Sequence, residues 1–369
     1  MLYHGLIAGK VLQWSPSLGG AWVCGQYRHC LNLLRDPRLS SGDASPEATD
    51  LDRRLSDWML SRDGAEHRRI RHALYPAFTP AAAAAFQGRI SKVVARLVDP
   101  FAASGGGEFI REVAWPLPCL VIADLLGTEE SCHQSLLDWT QQIADYLRAR
   151  PTTPEQTQTA NSALSRTQAL FRELVDRRRN SPADDVLSRV AGDPTLDTEE
   201  LSLQCAQLMF GGHETTRNLL AAGVLTLLRH PDSLQALRDD REGLIRSTVE
   251  EIARFETPAL FVARKAREDI EYDGVRIQAG QNVLVCLGAA NRDPARFPDP
   301  DHFDIRRTDN PHLAFGAGPH MCIGSHVARA LTQAAISRLL DAFPGLHLRA
   351  EPQWTTDPGF NRLARLEIG

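Results

Sequence analysis

From Leu201 to Leu228 the chain is apolar on almost every face, and a helix of that kind has to be buried. The rest of the molecule must therefore be built to cover it. In its middle stands Met209-Phe210-Gly211-Gly212-His213-Glu214-Thr215-Thr216. Two adjacent glycines inside a helix cost roughly 1 kcal/mol each relative to alanine, and an ionisable Glu214 in a buried setting adds a desolvation cost. Local foldability disfavours the cluster, which points to a functional reason for it. A hydroxyl at Thr215 can bond back to the carbonyl of Gly211 or hold a water, opening the helix for a small ligand such as dioxygen. The alternative is a helix crossing that needs small residues, with Glu214 facing solvent.

A second cluster, Phe315-Gly316-Ala317-Gly318-Pro319-His320-Met321-Cys322-Ile323-Gly324, puts one cysteine in a glycine-rich loop. The helix after it carries apolar residues at Val327, Leu331, Ala334, Ala335 and Leu339. The unpaired N–H groups and positive dipole end of that helix would stabilise a thiolate, so Cys322 is a candidate iron ligand. Gly318 and Gly324 allow close approach to a flat ligand, and Phe315 offers a ring that keeps water from the sulfur. A buried cysteine in a turn is the alternative. A dinucleotide loop is excluded, because Met321 stands where the third glycine should be.

Periodicity predicts helices over about 67–75, 80–98, 117–126, 131–149, 156–180, 197–229, 232–239, 242–256 and 325–343. Strand signals are few: a first strand near Ala21 to Val23, a hairpin of 270–272 with 275–277 about Asp273-Gly274, a strand at 283–287, and a late pair of 346–348 with 363–368. Gly105-Gly106-Gly107 reads as a tight connection, since no lysine follows at phosphate-loop spacing. The net charge is −5 and no basic-aromatic stripe appears, which argues against nucleic acid as a partner. Seven scattered cysteines without Cys-x-x-Cys spacing argue for a reducing compartment with no zinc site or disulfide framework. No apolar run approaches a membrane span and no signal pattern opens the chain, so a cytoplasmic location is expected.

The cysteine loop resembles the haem-binding signature of the cytochrome P450 family, Phe-x-x-Gly-x-x-x-Cys-x-Gly, at Phe315, Gly318, Cys322 and Gly324. Three further segments fit that family in the expected order, and the resemblance extends from about Trp22 to the C-terminus. It implies a mainly α fold with small antiparallel β-sheets: the cytochrome P450 fold, a prism-like helical body with a smaller β-rich part. One domain would span 1–369, with a slightly shortened N-terminus. By the resemblance, haem b is the cofactor and Cys322 its axial ligand. Glu214 and Thr215 would help deliver protons during oxygen activation, with Gly212 beside the cofactor. His67, Arg71, Arg264 and His320 would hold the propionates, which need charge-assisted hydrogen bonds when partly buried. Glu251 and Arg254 look like the family's buried Glu-x-x-Arg pair. Its usual third partner, an arginine from a Pro-x-Arg-Phe stretch, is replaced here by His302 in Pro300-Asp301-His302-Phe303, with Arg306 as a neighbouring substitute.

The function so implied is a monooxygenase that activates O2 to hydroxylate or epoxidise a small, mainly apolar molecule, typically in bacterial secondary metabolism. Oxidative C–C or C–O coupling or desaturation is the alternative outcome, and a non-catalytic haem or ligand carrier the alternative class. The chain has no Rossmann fingerprint, flavin segment or iron–sulfur spacing. Electrons from NAD(P)H are therefore expected through a ferredoxin or flavodoxin and its reductase, docking on Arg68, Arg69, Arg329 and His326. The pocket would be lined by 40–66, 147–162, Leu208, Met209, Leu260, Phe261 and Phe360, in a monomer.

Overall fold

The buried rod is the 32-residue helix Thr198–Arg229, 22 of whose residues are buried, and other elements pack around it. The computed structural model describes residues 2–42, 48–148, 152–355 and 359–369. Among them the helices are α1 (Leu2–Ala8), α2 (Tyr27–Leu33), α3 (Asp50–Ser56), α4 (Gly64–Leu74), α5 (Pro80–Ala85), α6 (Gln87–Ala103), α7 (Pro116–Leu125), α8 (His133–Arg148), α9 (Pro154–Asn180), α10 (Val186–Ala191), α11 (Thr198–Arg229), α12 (Pro231–Asp239), α13 (Arg241–Phe255), α14 (Leu287–Ala290) and α15 (Ser325–Ala342). The helix predicted over 80–98 is two. Thr79 caps α5 by accepting from the Ala82 N–H, and the chain turns at the fully buried Phe86 before α6 runs on through Pro100. The short helices α1, α2, α3, α10 and α14 have too few turns to show a period, and the sequence reading passes over them.

The strands are β1 (Gln13–Ser15), β2 (Ala21–Cys24), β3 (Leu39–Ser40), β4 (Gly107–Glu108), β5 (Phe261–Ala266), β6 (Ile270–Tyr272), β7 (Val275–Ile277), β8 (Asn282–Cys286), β9 (Gln353–Trp354), β10 (Leu363–Arg365) and β11 (Glu367–Ile368). The largest sheet has the order β1-β2-β8-β5-β3. Its β2–β8 pair is parallel, unlike the others, because the chain between those strands makes most of the helical body before returning. The first strand, β1, lies earlier than expected. The β6–β7 hairpin forms as predicted, Ile270 opposite Ile277, with Asp273 and Gly274 both at positive φ. The late pair is only partly as predicted. Leu348 bridges Ile368, but β10 pairs with β9, and β11 also pairs with β4. Gly106 permits this last pairing: at φ +98° its missing Cβ would lie 2.2 Å from the Ile368 carbonyl oxygen.

Although apolar in outline, α11 carries buried polar side chains that reach for the backbone of other segments. Gln204 Oε1 accepts from the Met59 N–H (2.8 Å) and its Nε2 donates to the Asp57 carbonyl (3.0 Å). Arg217 Nη2 donates to Leu363 O (2.7 Å), and His213 Nε2 to Trp115 O (2.8 Å). Burial holds His213 at about 4, so it stays neutral in the folded chain.

A second buried polar unit ties α13 to the loop before the cysteine. Arg254 donates to both oxygens of Glu251 (2.8 and 2.7 Å), and neither side chain is accessible. It also donates to the carbonyls of Asn291, Pro300 and His302. Glu251 further accepts from the Asp304 N–H and from Asn310 Nδ2, and Arg307 lies 3.3 Å away. His302 therefore enters only through its main chain, and its exposed ring is not the third partner. That partner is Arg307 rather than His302 or Arg306, so the network does not depend on histidine protonation.

Two outcomes follow from this packing. Arg254→Leu takes the bidentate partner from a buried carboxylate and should cost about 3–5 kcal/mol in denaturant unfolding, whereas His302→Ala should stay within about 0.5 kcal/mol. For His213, the unfolded chain takes up a proton below its ordinary 6.5 while the folded chain does not until about 4. Stability is thus full above pH 6.5 and falls as pH drops toward 4, by up to ~3 kcal/mol from this group. Unfolding of His213→Gln followed across that window should show a shallower acid slope than the parent.

Candidate active site

The cysteine loop is fixed by its own backbone. The Cys322 N–H donates to the Phe315 carbonyl (2.8 Å), and Gly316 and Gly318 sit at φ +69° and +72°. A Cβ on Gly318 would lie 2.8 Å from the Leu34 carbonyl oxygen. Gly318 therefore serves the fit of the loop against the end of α2, not the approach to a ligand that its spacing suggests. Gly324, immediately before α15, has open space where a Cβ would project. Cys322 beside it is exposed, yet enough protein surrounds it that burial raises its thiol pKa; the Gly324 N–H and the guanidiniums of Arg71 and Arg329 act in the opposite direction. Cys24, Cys30, Cys119, Cys205 and Cys286 are by contrast buried. An accessible sulfur enclosed by protein and flanked by cations suits metal ligation.

To one side lie the four basic groups. His67 is buried, with its ring 4.1 Å from that of His320, and burial holds it at about 4. His320 Nε2 lies 2.9 Å from Asp63 Oδ1. Asp63 precedes α4 without capping it, because its carboxylate is taken up by Ser40 Oγ (2.6 Å), the Ser41 N–H (3.0 Å) and Arg267 (2.8 Å). The sequence reading missed Asp63, although an aspartate just ahead of a helix is a recognisable signal. Arg71 is half-buried and Arg264 buried, and desolvation lowers the pKa of both. Among the described residues neither is paired with a carboxylate, and Arg264 donates only to the Ala263 carbonyl.

On α11 the Thr215 hydroxyl donates to Gly211 O at 3.2 Å. Gly211, not Gly212, faces open space: a Cβ on Gly211 would meet nothing within 4 Å, whereas one on Gly212 would lie 2.5 Å from Ile122 Cδ1. Gly212 is thus a packing residue against α7. Glu214 does not face solvent. Its Oε2 accepts from Arg148 Nη1 (2.5 Å), its Oε1 is 3.5 Å from Arg362, and Arg148 also bonds Asp145. Sequence reading found neither arginine, since pairs so far apart leave no local pattern. Leu208 is half-buried, while Met209 is 1% exposed inside the main core and lines nothing.

The segments carrying Leu260, Phe261 and Phe360 are brought together by bonds from the Leu260 N–H to Gly359 O and from the Asn361 N–H to Pro258 O. Residues 43–47, 149–151 and 356–358, parts of the expected lining, lie outside the described residues. Of the expected docking cations, Arg69 is bound by Glu66 and Glu200 and Arg329 by Glu250, while Arg68 is exposed. No helix among the described residues is long and apolar enough to cross a membrane.

Comparison with known proteins gives a consistent result. The family model for cytochrome P450 matches residues 111–365. The chain is 36% identical to the biotin biosynthesis cytochrome P450 of Bacillus subtilis, covering 99% of this chain and 93% of that protein. It is 35% identical to the cytochrome P450 monooxygenase PikC of Streptomyces venezuelae, covering 96% and 86%. A crystal structure of P450BioI in complex with a hexadec-9Z-enoic acid-ligated acyl carrier protein superposes with a TM-score of 0.92 at 35% identity, over 100% of this chain and 97% of that one. With an accessible cysteine at the head of α15 and a Thr215 bond opening onto Gly211, this chain belongs to the cytochrome P450 family.

Proposed function

We propose that this monooxygenase inserts one atom of dioxygen into an elongated, mainly apolar acyl substrate, and that Cys322 holds the haem iron. The observation that carries the cofactor assignment is the conjunction of an accessible, protein-enclosed thiol with two desolvated guanidiniums, Arg71 and Arg264, that pair with no carboxylate among the described residues. The donor set fits haem b: sulfur for iron, and Arg71, Arg264, His67 and His320 for the propionates. His320 would share its proton between a propionate and Asp63. Haem bound through a cysteine thiolate supplies the electron push that favours O–O cleavage.

The protein's own contribution is protons and position. Thr215 Oγ1 donates its hydrogen to Gly211 O, which leaves its lone pairs to accept a hydrogen bond from a water in the gap beside Gly211. Glu214 accepts from Arg148 as a carboxylate. Arg148 engages Oε2 alone, so a proton on its way toward Thr215 would be carried on Oε1. Leu208, Leu260, Phe261 and Phe360 supply an apolar surface that excludes water and orients an apolar chain. The likeness to P450BioI, solved with an acyl-ligated carrier protein, supports a carrier-presented acyl group as the class to test first. Reducing equivalents derived from NAD(P)H would arrive through a ferredoxin or flavodoxin.

Holoprotein reduced under carbon monoxide should give a thiolate-type spectrum, and Cys322→Ala should lose it; a spectrum indifferent to that change would sink the assignment. With an accepted acyl substrate and labelled dioxygen, the product should carry one labelled atom. A dehydrogenated or coupled product without label would instead identify the desaturation or coupling reaction. Thr215→Ala should keep consuming reducing equivalents while product per electron pair falls by roughly tenfold or more, since positioned proton transfer contributes about 10²–10⁴-fold.

A further inference from the structure

Glu250 is the residue before the Glu-x-x-Arg pair and has no part in that pair's network. Its carboxylate points instead toward the cysteine loop. Arg329, in the second turn of α15, donates to it from Nε (2.6 Å) and Nη2 (2.9 Å), a bidentate contact. His312 Nε2 lies 3.0 Å from Oε2, and His312 Nδ1 accepts from the Ala314 N–H, which assigns the proton to Nε2. The His312 side chain is only 2% exposed. Burial alone would raise the Glu250 pKa, but the bonds from His312 and Arg329 overcome it and hold the group at about 2, ionised at working pH.

The same guanidinium lies over the ring of Phe315, 4.2 Å from its centroid, with the His312 ring 5.8 Å away on the same phenylalanine. Phe315 is the residue whose carbonyl receives the Cys322 N–H. Through Phe315, Arg329 is packed on the loop that carries Cys322. The arginine thus stands between a carboxylate that neutralises it and a sulfur that feels what charge remains.

We propose that Glu250 is a positioning residue that sets the reduction potential of the haem iron through Arg329. This rests on the haem-thiolate reading of Cys322. Reduction adds one negative charge to the iron–thiolate unit, so a nearby cation favours the reduced form and an anion opposes it. Glu250 holds the Arg329 guanidinium against Phe315 and cancels much of its field at the sulfur. The arginine that sequence alone would offer to a redox partner is directed inward, to the metal centre.

The test is potentiometric titration of the holoprotein, with the reduced carbon monoxide spectrum recorded on each variant. A parent protein without the thiolate-type spectrum would sink the cysteine assignment itself, before any variant is compared. Given that spectrum, Glu250→Gln should shift the potential positive, Arg329→Gln should shift it negative, and the double variant should return close to the parent. Asp99→Asn, which breaks the exposed pair between Asp99 of α6 and Arg338 of α15, is the control and should leave the potential unchanged. Equal-signed shifts in the two single variants, or shifts no larger than the control's, would overturn the proposal. If Glu250→Gln does not retain haem, Arg329→Gln decides alone: a negative shift with the thiolate-type spectrum supports the proposal, and none or a positive one overturns it. A purely structural role would lower haem retention in both variants without giving shifts of opposite sign.

Discussion

On the buried faces of a helix, a polar side chain left wholly unpartnered would forfeit about 1–3 kcal/mol. The central helix α11 nevertheless carries Gln204, His213, Glu214 and Arg217, all buried. Each bonds a different segment: the turn ahead of α4, the start of α7, the end of α8 and strand β10. A desolvation penalty is converted in this way into a set of fixed distances. The turn ahead of α4 places Asp63, His67 and Arg71, and the β10 segment places Phe360 and Arg362. Where this packing lapses, at Gly211, the helix leaves open space, and that is where the Thr215 hydroxyl turns back on the backbone.

What could be read from sequence was what is encoded within one segment. The length of α11, the β6–β7 hairpin about Asp273-Gly274 and the cysteine loop before α15 all depend on near neighbours and a fixed period. The errors have a common physical origin as well. Gly211 and Gly212 are separated by one residue, about 100° of helix rotation, and which of them faces open space is decided by Ile122 on α7. Met209 and Leu208 were conflated for the same reason: one turns into the core and its neighbour only halfway. The third partner of Glu251 was misplaced because the path after Pro300 is set by carbonyls bonded to Arg254, which carry the His302 ring outward and bring Arg307 in.

Pairings between distant residues account for what was missed altogether. Glu214 with Arg148, His320 with Asp63 and Glu250 with Arg329 join different elements, and no local pattern forecasts them. Cationic side chains in this protein are almost entirely arginine, since only Lys10, Lys92 and Lys265 are lysines among 41. A guanidinium bonds two oxygens of one carboxylate, or several carbonyls at once, where an ammonium acts as a point charge. Arg254 does both, to Glu251 and to three carbonyls, so its charge is spread over three segments of chain.

That habit of neutralising arginines sharpens the meaning of Arg71 and Arg264. Arg69 and Arg329 looked like free cations in the sequence and are matched by Glu200 and Glu250. Arg71 and Arg264 are more deeply desolvated, yet no carboxylate among the described residues pairs with them. Nearby Asp63 is already engaged by Ser40, Ser41, Arg267 and His320. Two unmatched guanidiniums in one partly buried region lower the stability of the chain by itself. A dianionic group bound between them would neutralise both and relieve that cost. Binding of such a group would be linked to folding, because any ligand bound by the folded chain alone stabilises it.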